Sequence, residues 1–302
     1  MSESTDDPRG IVFAGAAYVI WGIVPVYWRL LGDVPPFELT VHRVLWCTVF
    51  LVMVSLGRGH LNRLVAIVSE PRLLATLALT SVLITCNWTL YIWCVSTNRL
   101  VEASLGYYIT PLVSFAAGYA FFGERMSRLR LAGVALATLA LVVQAAALGH
   151  IPWISPALAL SFGFYGIFRK QAVVTAMDGL LVETALLFPV TLGLVIWWGL
   201  KGSGVFPSTN LLRDALLICG GPLTAIPLAM FAAGARRVRL TTLGFLQYLA
   251  PSITLLLAVF AFHERFTPVN AVVFGCVWSA LGIVALERRF TRFRQAAASS
   301  GH

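Results

Sequence analysis

The sequence predicts an all-α polytopic membrane protein in which ten transmembrane helices form two inverted five-helix repeats. Three observations carry that expectation. Of the 302 residues, 59% are hydrophobic and only 12% are charged, with a mean hydropathy of +0.84; an ordinary soluble domain carries roughly 25% charged residues. The apolar residues gather into runs of roughly twenty, the length of helix that crosses a ~30 Å hydrocarbon core. A proline followed at fixed spacing by a Glu-Arg pair occurs twice, Pro111 to Glu124-Arg125 and Pro251 to Glu264-Arg265, with an offset of 140 residues.

Lipid offers the backbone no hydrogen bonds, so spanning segments must be helices or a closed barrel. The runs lack the period-2 alternation of barrel strands. Helices are expected at 11–31, 37–56, 72–94, 100–122, 129–148, 152–170, 179–200, 211–234, 240–262 and 268–287, joined by connections too short for a soluble domain. This divides the chain into a cytoplasmic tail (1–10), a first repeat (11–148), a second repeat (152–287) and a basic cytoplasmic tail (288–302), with 1–9 and 291–302 expected to be disordered. Glu3, Asp6 and Asp7 against Arg9 do not make the positive start of a secretory signal, so the first helix is expected to be retained.

Basic residues orient the spans. With the N-terminus inside, 16 of the 22 Lys and Arg fall on the inner side, among them Arg169 and Lys170 at a helix end. Arg29, Arg99, Lys201, Arg213 and Arg265 fall outside, and Arg43 lies within a helix. The positive-inside rule then puts both termini in the cytoplasm and the protein in the cell (cytoplasmic) membrane as a multi-pass protein. The same distribution accounts for the net charge of +9 without a nucleic-acid partner. Cys47, Cys86, Cys94, Cys219 and Cys276 all lie in apolar runs without metal or redox spacing and read as small buried hydrophobes.

The repeat extends beyond its proline. Leu105-Gly106-Tyr107-Tyr108 echoes Leu243-Gly244-Phe245-Leu246, and Ile20-Trp21-Gly22-Ile23-Val24 echoes Phe164-Tyr165-Gly166-Ile167-Phe168. Glu38 and Glu183 take corresponding places near the starts of the second helices. Five helices is an odd number, so the second copy crosses in the opposite sense. Inverted repeats around a central site are the usual build of secondary carriers.

Arg43 is the most informative residue. A guanidinium about 10 Å inside a helix is costly in lipid and faces a cavity or a partner. It reads as the receptor of an anionic or carboxylate-bearing substrate, or as a helix-to-helix tie. Glu38 and His42 share a helix face and suit a proton relay, although Glu38 also suits the dipole of a helix start after Pro35-Pro36. Glu183 reads as a pathway or coupling residue, which makes a proton a possible coupling partner. Asn87, Tyr91, Tyr107, Tyr108, Gln247 and Tyr248, with Trp21 and Tyr165 from the matched first helices, suit a pocket for a small organic molecule. Trp28, Trp153, Trp197 and Trp198 sit at helix ends and read as an interfacial belt. Pro111 and Pro251 are candidate paired hinges, and Gly22, Gly106, Gly163, Gly166 and Gly244 candidate close helix contacts.

With this five-plus-five plan, and with Gly-Glu-Arg and His-Glu-Arg after the fourth and ninth helices, the chain resembles the EamA family of the drug/metabolite transporter superfamily. The stretches 18–28, 38–46, 102–108, 164–170 and 243–248 resemble its RarD type, named for chloramphenicol sensitivity. The resemblance implies a transporter and leaves its substrate open. No catalytic residue, metal ligand or cofactor is expected: the sequence has no His-Glu-x-x-His, Gly-x-Ser-x-Gly or Walker motif. The function expected is secondary transport of an amino acid, metabolite or drug by alternating access, with membrane lipid and the solute as partners and a monomer or homodimer as the working unit. A channel-like or accessory membrane protein is the alternative, and an intramembrane enzyme a more distant one.

Overall fold

The computed structural model describes residues 7–299, except 60, 123–126, 150, 239–241 and 243–245; for 61–62, 114–115, 117–122, 130, 148, 170 and 284–299 it describes the main chain alone. The described chain is all helical. The helices are α1 (Pro8–Leu30), α2 (Pro36–Gly57), α3 (Leu61–Val68), α4 (Pro71–Ser96), α5 (Leu100–Phe122), α6 (Arg128–Leu148), α7 (Ile154–Gln171), α8 (Ala176–Lys201), α9 (Leu211–Ala235), α10 (Leu249–Leu256) and α11 (Pro268–Ser299). A π turn, Leu257–Ala261, continues α10.

Local sequence explains the ends. Proline occupies the first turn of α1, α2 and α4, where a missing N–H costs no intrahelical bond. Asp7, Thr175 and Asn210 cap α1, α8 and α9 by accepting from the amides of Arg9, Asp178 and Arg213. Gly202 ends α8 at φ 63°, a left-handed position that favours glycine.

Among the described residues, five helices are long and apolar enough to cross a membrane: α1, α2, α4, α8 and α9. Shorter apolar stretches lie at Leu131–Ala147, Leu249–Ala261 and Pro268–Ile283. Large apolar side chains face outward along the spans, including Val190, Leu211 and Phe260, as lipid permits and water does not.

Three expectations need correction. α3 lies where only a connection was expected; it is too short to register as a span. The region 291–299, expected to be disordered, continues α11, because hydrophobicity ends near Ile283 but no proline or glycine stops the helix. Around the ninth helix, expected over 240–262, described helix runs from Leu249 with part of 240–248 outside the described residues.

α2 is the central helix. Glu38 to Leu45 are all buried, and α2 packs against α4, α8 and α9. Around it, α1 packs on α9 and α10, α7 on α4 and α5, α5 on α10, and α6 on α11. Small residues permit the closest crossings. A Cβ on Gly22 would fall 2.7 Å from Ile253 Cβ, and one on Gly106 would fall 2.8 Å from the Ser155 carbonyl oxygen. Gly166, expected to make such a contact, faces open space; Gly244 lies outside the described residues.

Candidate functional site

Arg43 sits on the eighth residue of α2 and is 9% exposed. Its Nε donates to Thr224 Oγ1 of α9 at 2.9 Å. The guanidinium carbon lies 4.0 Å from the Trp88 ring centroid and 5.2 Å from that of Trp28. Tyr91, Tyr107 and Cys47 are near enough to feel its charge. Trp28, read from its helix-end position as an interfacial belt residue, is instead 2% exposed and packed against Arg43. The site therefore joins a cation, aromatic rings and hydroxyl groups.

Asn87 finds its partners at depth. Its Nδ2 donates to the Leu158 carbonyl and to Ser161 Oγ of α7, and its Oδ1 accepts from Tyr107 Oη at 2.8 Å. This amide ties α4, α5 and α7 together. Tyr91 meets Tyr107 edge to face at 5.6 Å. Tyr108 stacks on Tyr248 at 6.0 Å and shares a 2.5 Å hydrogen bond with Ser252 Oγ. Trp21 packs among Tyr18 and Phe231, and Gln247 is partly exposed.

Glu183 forms a second centre. It is 1% exposed, pairs with Arg169 Nε at 3.3 Å, accepts from Thr80 Oγ1 at 2.7 Å and faces Tyr165 Oη at 3.5 Å. Ser81 Oγ donates to its carbonyl. Arg169, expected as a surface anchor, instead turns inward to this carboxylate.

Glu38 and His42 do not touch through a hydrogen bond. Glu38 Oε1 accepts from the Val205 amide at 2.7 Å and makes no cap on its own helix. Among the described residues neither His42 nitrogen has a hydrogen-bond partner, and the ring packs 5.4 Å from Phe206. Both residues thus engage the 202–210 segment. The two prolines are unequal: Pro111 lies inside α5, whereas Pro251 falls in the first turn of α10. Of the cysteines, Cys47 and Cys94 are buried, but Cys86 and Cys219 are exposed on the apolar surface.

Sequence reasoning missed a polar cavity of about 710 Å³ where the ends of α1, α6 and α10 meet the starts of α5 and α11. Arg29, Arg99, Glu102, Gln144, Glu264 and Arg265 line it. Glu264 accepts from the amides of Leu100 and Val101 at 2.8 and 2.9 Å, fastening α10 to the start of α5. The repeated Glu-Arg pair was the available signal; its first copy, Glu124-Arg125, lies outside the described residues.

The family pattern of EamA-like transporters matches residues 8–145. Relatives extend the likeness along the chain. A Vibrio cholerae protein described as an uncharacterized transporter is 39% identical, covering 94% of this chain and 94% of that one. Protein RarD of Escherichia coli is 38% identical, covering 95% and 97%. The chain belongs to the EamA-like transporter family. A solved crystal structure shares the EamA-like chain's fold at a TM-score of 0.56 and 19% identity, covering 92% of this chain and 97% of that one. As an EamA-like protein the chain is a membrane protein of a transporter family, and Arg43 and Glu183 lie on α2 and α8, two of the helices long and apolar enough to cross a membrane.

Proposed function

We propose that this EamA-like protein is a secondary carrier that moves a small organic solute across the cytoplasmic membrane by alternating access. Ten spans, all the helices except the short α3, form two inverted halves at 11–148 and 152–287, with both termini cytoplasmic. The solute binds beside Arg43, between the halves. A proton is the candidate coupling ion and Glu183 its candidate site, a buried carboxylate paired with a single arginine. The working unit is a monomer or homodimer.

One observation carries this reading. The main packing contacts between the halves survive their exchange. α1 packs on α9 and α10, and its counterpart α7 packs on α4 and α5; α2 packs on α9, and its counterpart α8 packs on α4. The pairs α2–α8, α5–α10 and α6–α11 map onto themselves. Two halves that interlock in this reciprocal way can trade inward-open and outward-open arrangements about a shared centre. The family match over 8–145, which spans α1 to most of α6, supports the first half as a unit.

The test is flux in proteoliposomes loaded with amino acids, organic acids, amides and amphenicols. A carrier gives saturable uptake and accelerated counterflow for at least one of them. Flux that rises linearly with concentration and shows no counterflow identifies a channel and overturns the proposal.

A further inference from the structure

We infer that the transported solute is an organic anion held through its carboxylate by Arg43, and that zwitterions and cations do not occupy this position. The inference rests on the carrier reading and deepens it by naming the substrate class.

A cation inside a membrane bundle needs a counter-charge. Among the described residues, the buried and half-buried carboxylates are engaged elsewhere, among them Glu38 with the Val205 amide, Asp178 with Thr175, Glu183 with Arg169 and Thr80, and Glu264 with the start of α5. Arg43 has no ion pair among the described residues. Its hydrogen bond there runs from Nε to Thr224, a neutral hydroxyl. The charge is therefore balanced by something other than these side chains.

Geometry then selects the ligand. The guanidinium lies over the Trp88 and Trp28 rings, and Thr224 fixes its Nε corner. What is left is the edge carrying the two Nη nitrogens, the fork that matches a carboxylate with two parallel hydrogen bonds. A ligand ammonium would need a carboxylate or an open aromatic face. The described interior carboxylates are committed, and the Trp88 and Trp28 rings already hold Arg43. A zwitterion would bring its positive end into that field without compensation. The bound species is thus net negative.

The experiment uses the purified full-length protein and three matched pairs: propionate and propionamide, phenylacetate and phenylacetamide, indole-3-acetate and indole-3-acetamide. Each pair keeps its shape and exchanges an anionic carboxylate for a neutral amide. Phenethylamine and phenylalanine serve as the cation and the zwitterion. Thermal unfolding in detergent reads binding, and counterflow in proteoliposomes reads transport. At least one acid raises the unfolding midpoint, its amide does not, and neither does the amine or the amino acid. Arg43→Gln weakens that acid about thirtyfold or more, as expected when one partner of a buried charged pair is removed. Arg43→Lys retains the charge but not the fork; it keeps the fold and gives intermediate affinity. Equal binding of acids and amides, tighter binding of the amine or the amino acid, undiminished binding by Arg43→Gln, or no binding by any acid overturns the inference. Acid binding that depends on Arg43 without counterflow would instead sink the carrier reading and leave the site. Counterflow of neutral or cationic solutes insensitive to Arg43 would do the reverse.

Discussion

Arg169 and Glu183 make the sharpest residue-scale case. Each would be costly alone in a low-dielectric interior; together, with Thr80 donating to the carboxylate, they compensate each other. Glu183→Ala leaves Arg169 unpaired and is expected to cost about 3–5 kcal/mol, read as a fall in thermal midpoint of the purified protein. The double change Glu183→Leu with Arg169→Met removes both charges and should recover most of that loss; no recovery would mean that the pair is not the source of the penalty. At this scale legibility was uneven. Arg43 stood out because a charge in an apolar run is visible without any neighbour. Its partner Thr224, 181 positions away, was not visible. Arg169 was misread because a cation at a helix end looks like a surface anchor until Glu183 is known to face it. Trp28 was misread for the same reason, since an indole's role depends on what packs against it.

At the scale of the helix, spacing between axes is set by what stands at the crossing. Gly106 brings α5 against the Ser155 carbonyl and Leu158 of α7, whereas Gly166 meets nothing. Gly106→Val should therefore destabilise by about 1–3 kcal/mol through overpacking. Gly166→Ala should be neutral or stabilising by up to about 1 kcal/mol through helix propensity. Thermal unfolding of both variants in one detergent checks the contrast, and equal effects would refute it. Both glycines looked alike in the sequence, because a small residue in an apolar run does not say whether a neighbour approaches. The long helices were legible because length and apolarity alone identify a span. α3 was not, since eight residues carry too little pattern. The extension of α11 was not either, because hydrophobicity stops where lipid stops while the backbone obeys only propensity.

At the scale of the whole molecule, the orientation drawn from charge has its own check. In a variant with the five native cysteines replaced, Ser208→Cys and Asn270→Cys should react with a membrane-impermeant maleimide in intact cells. Ser127→Cys and Arg236→Cys should react only after permeabilisation. The opposite pattern would invert the topology, and mixed labelling of all four would dissolve it. The 140-residue sequence repeat was legible, but the interlocking of α1 with α9 and α10 was not, because sequence similarity does not say which segment packs on which. That interlocking bears on how the chain is made. α1 rests on α9 and α10, and the amides that start α5 are fastened by Glu264. At roughly 5–20 residues per second, ribosomes release the early segments well before their partners exist. For those seconds lipid or an insertion chaperone must stand where α9 will later pack, so a truncated chain ending near residue 148 is born without the surfaces that would hold it.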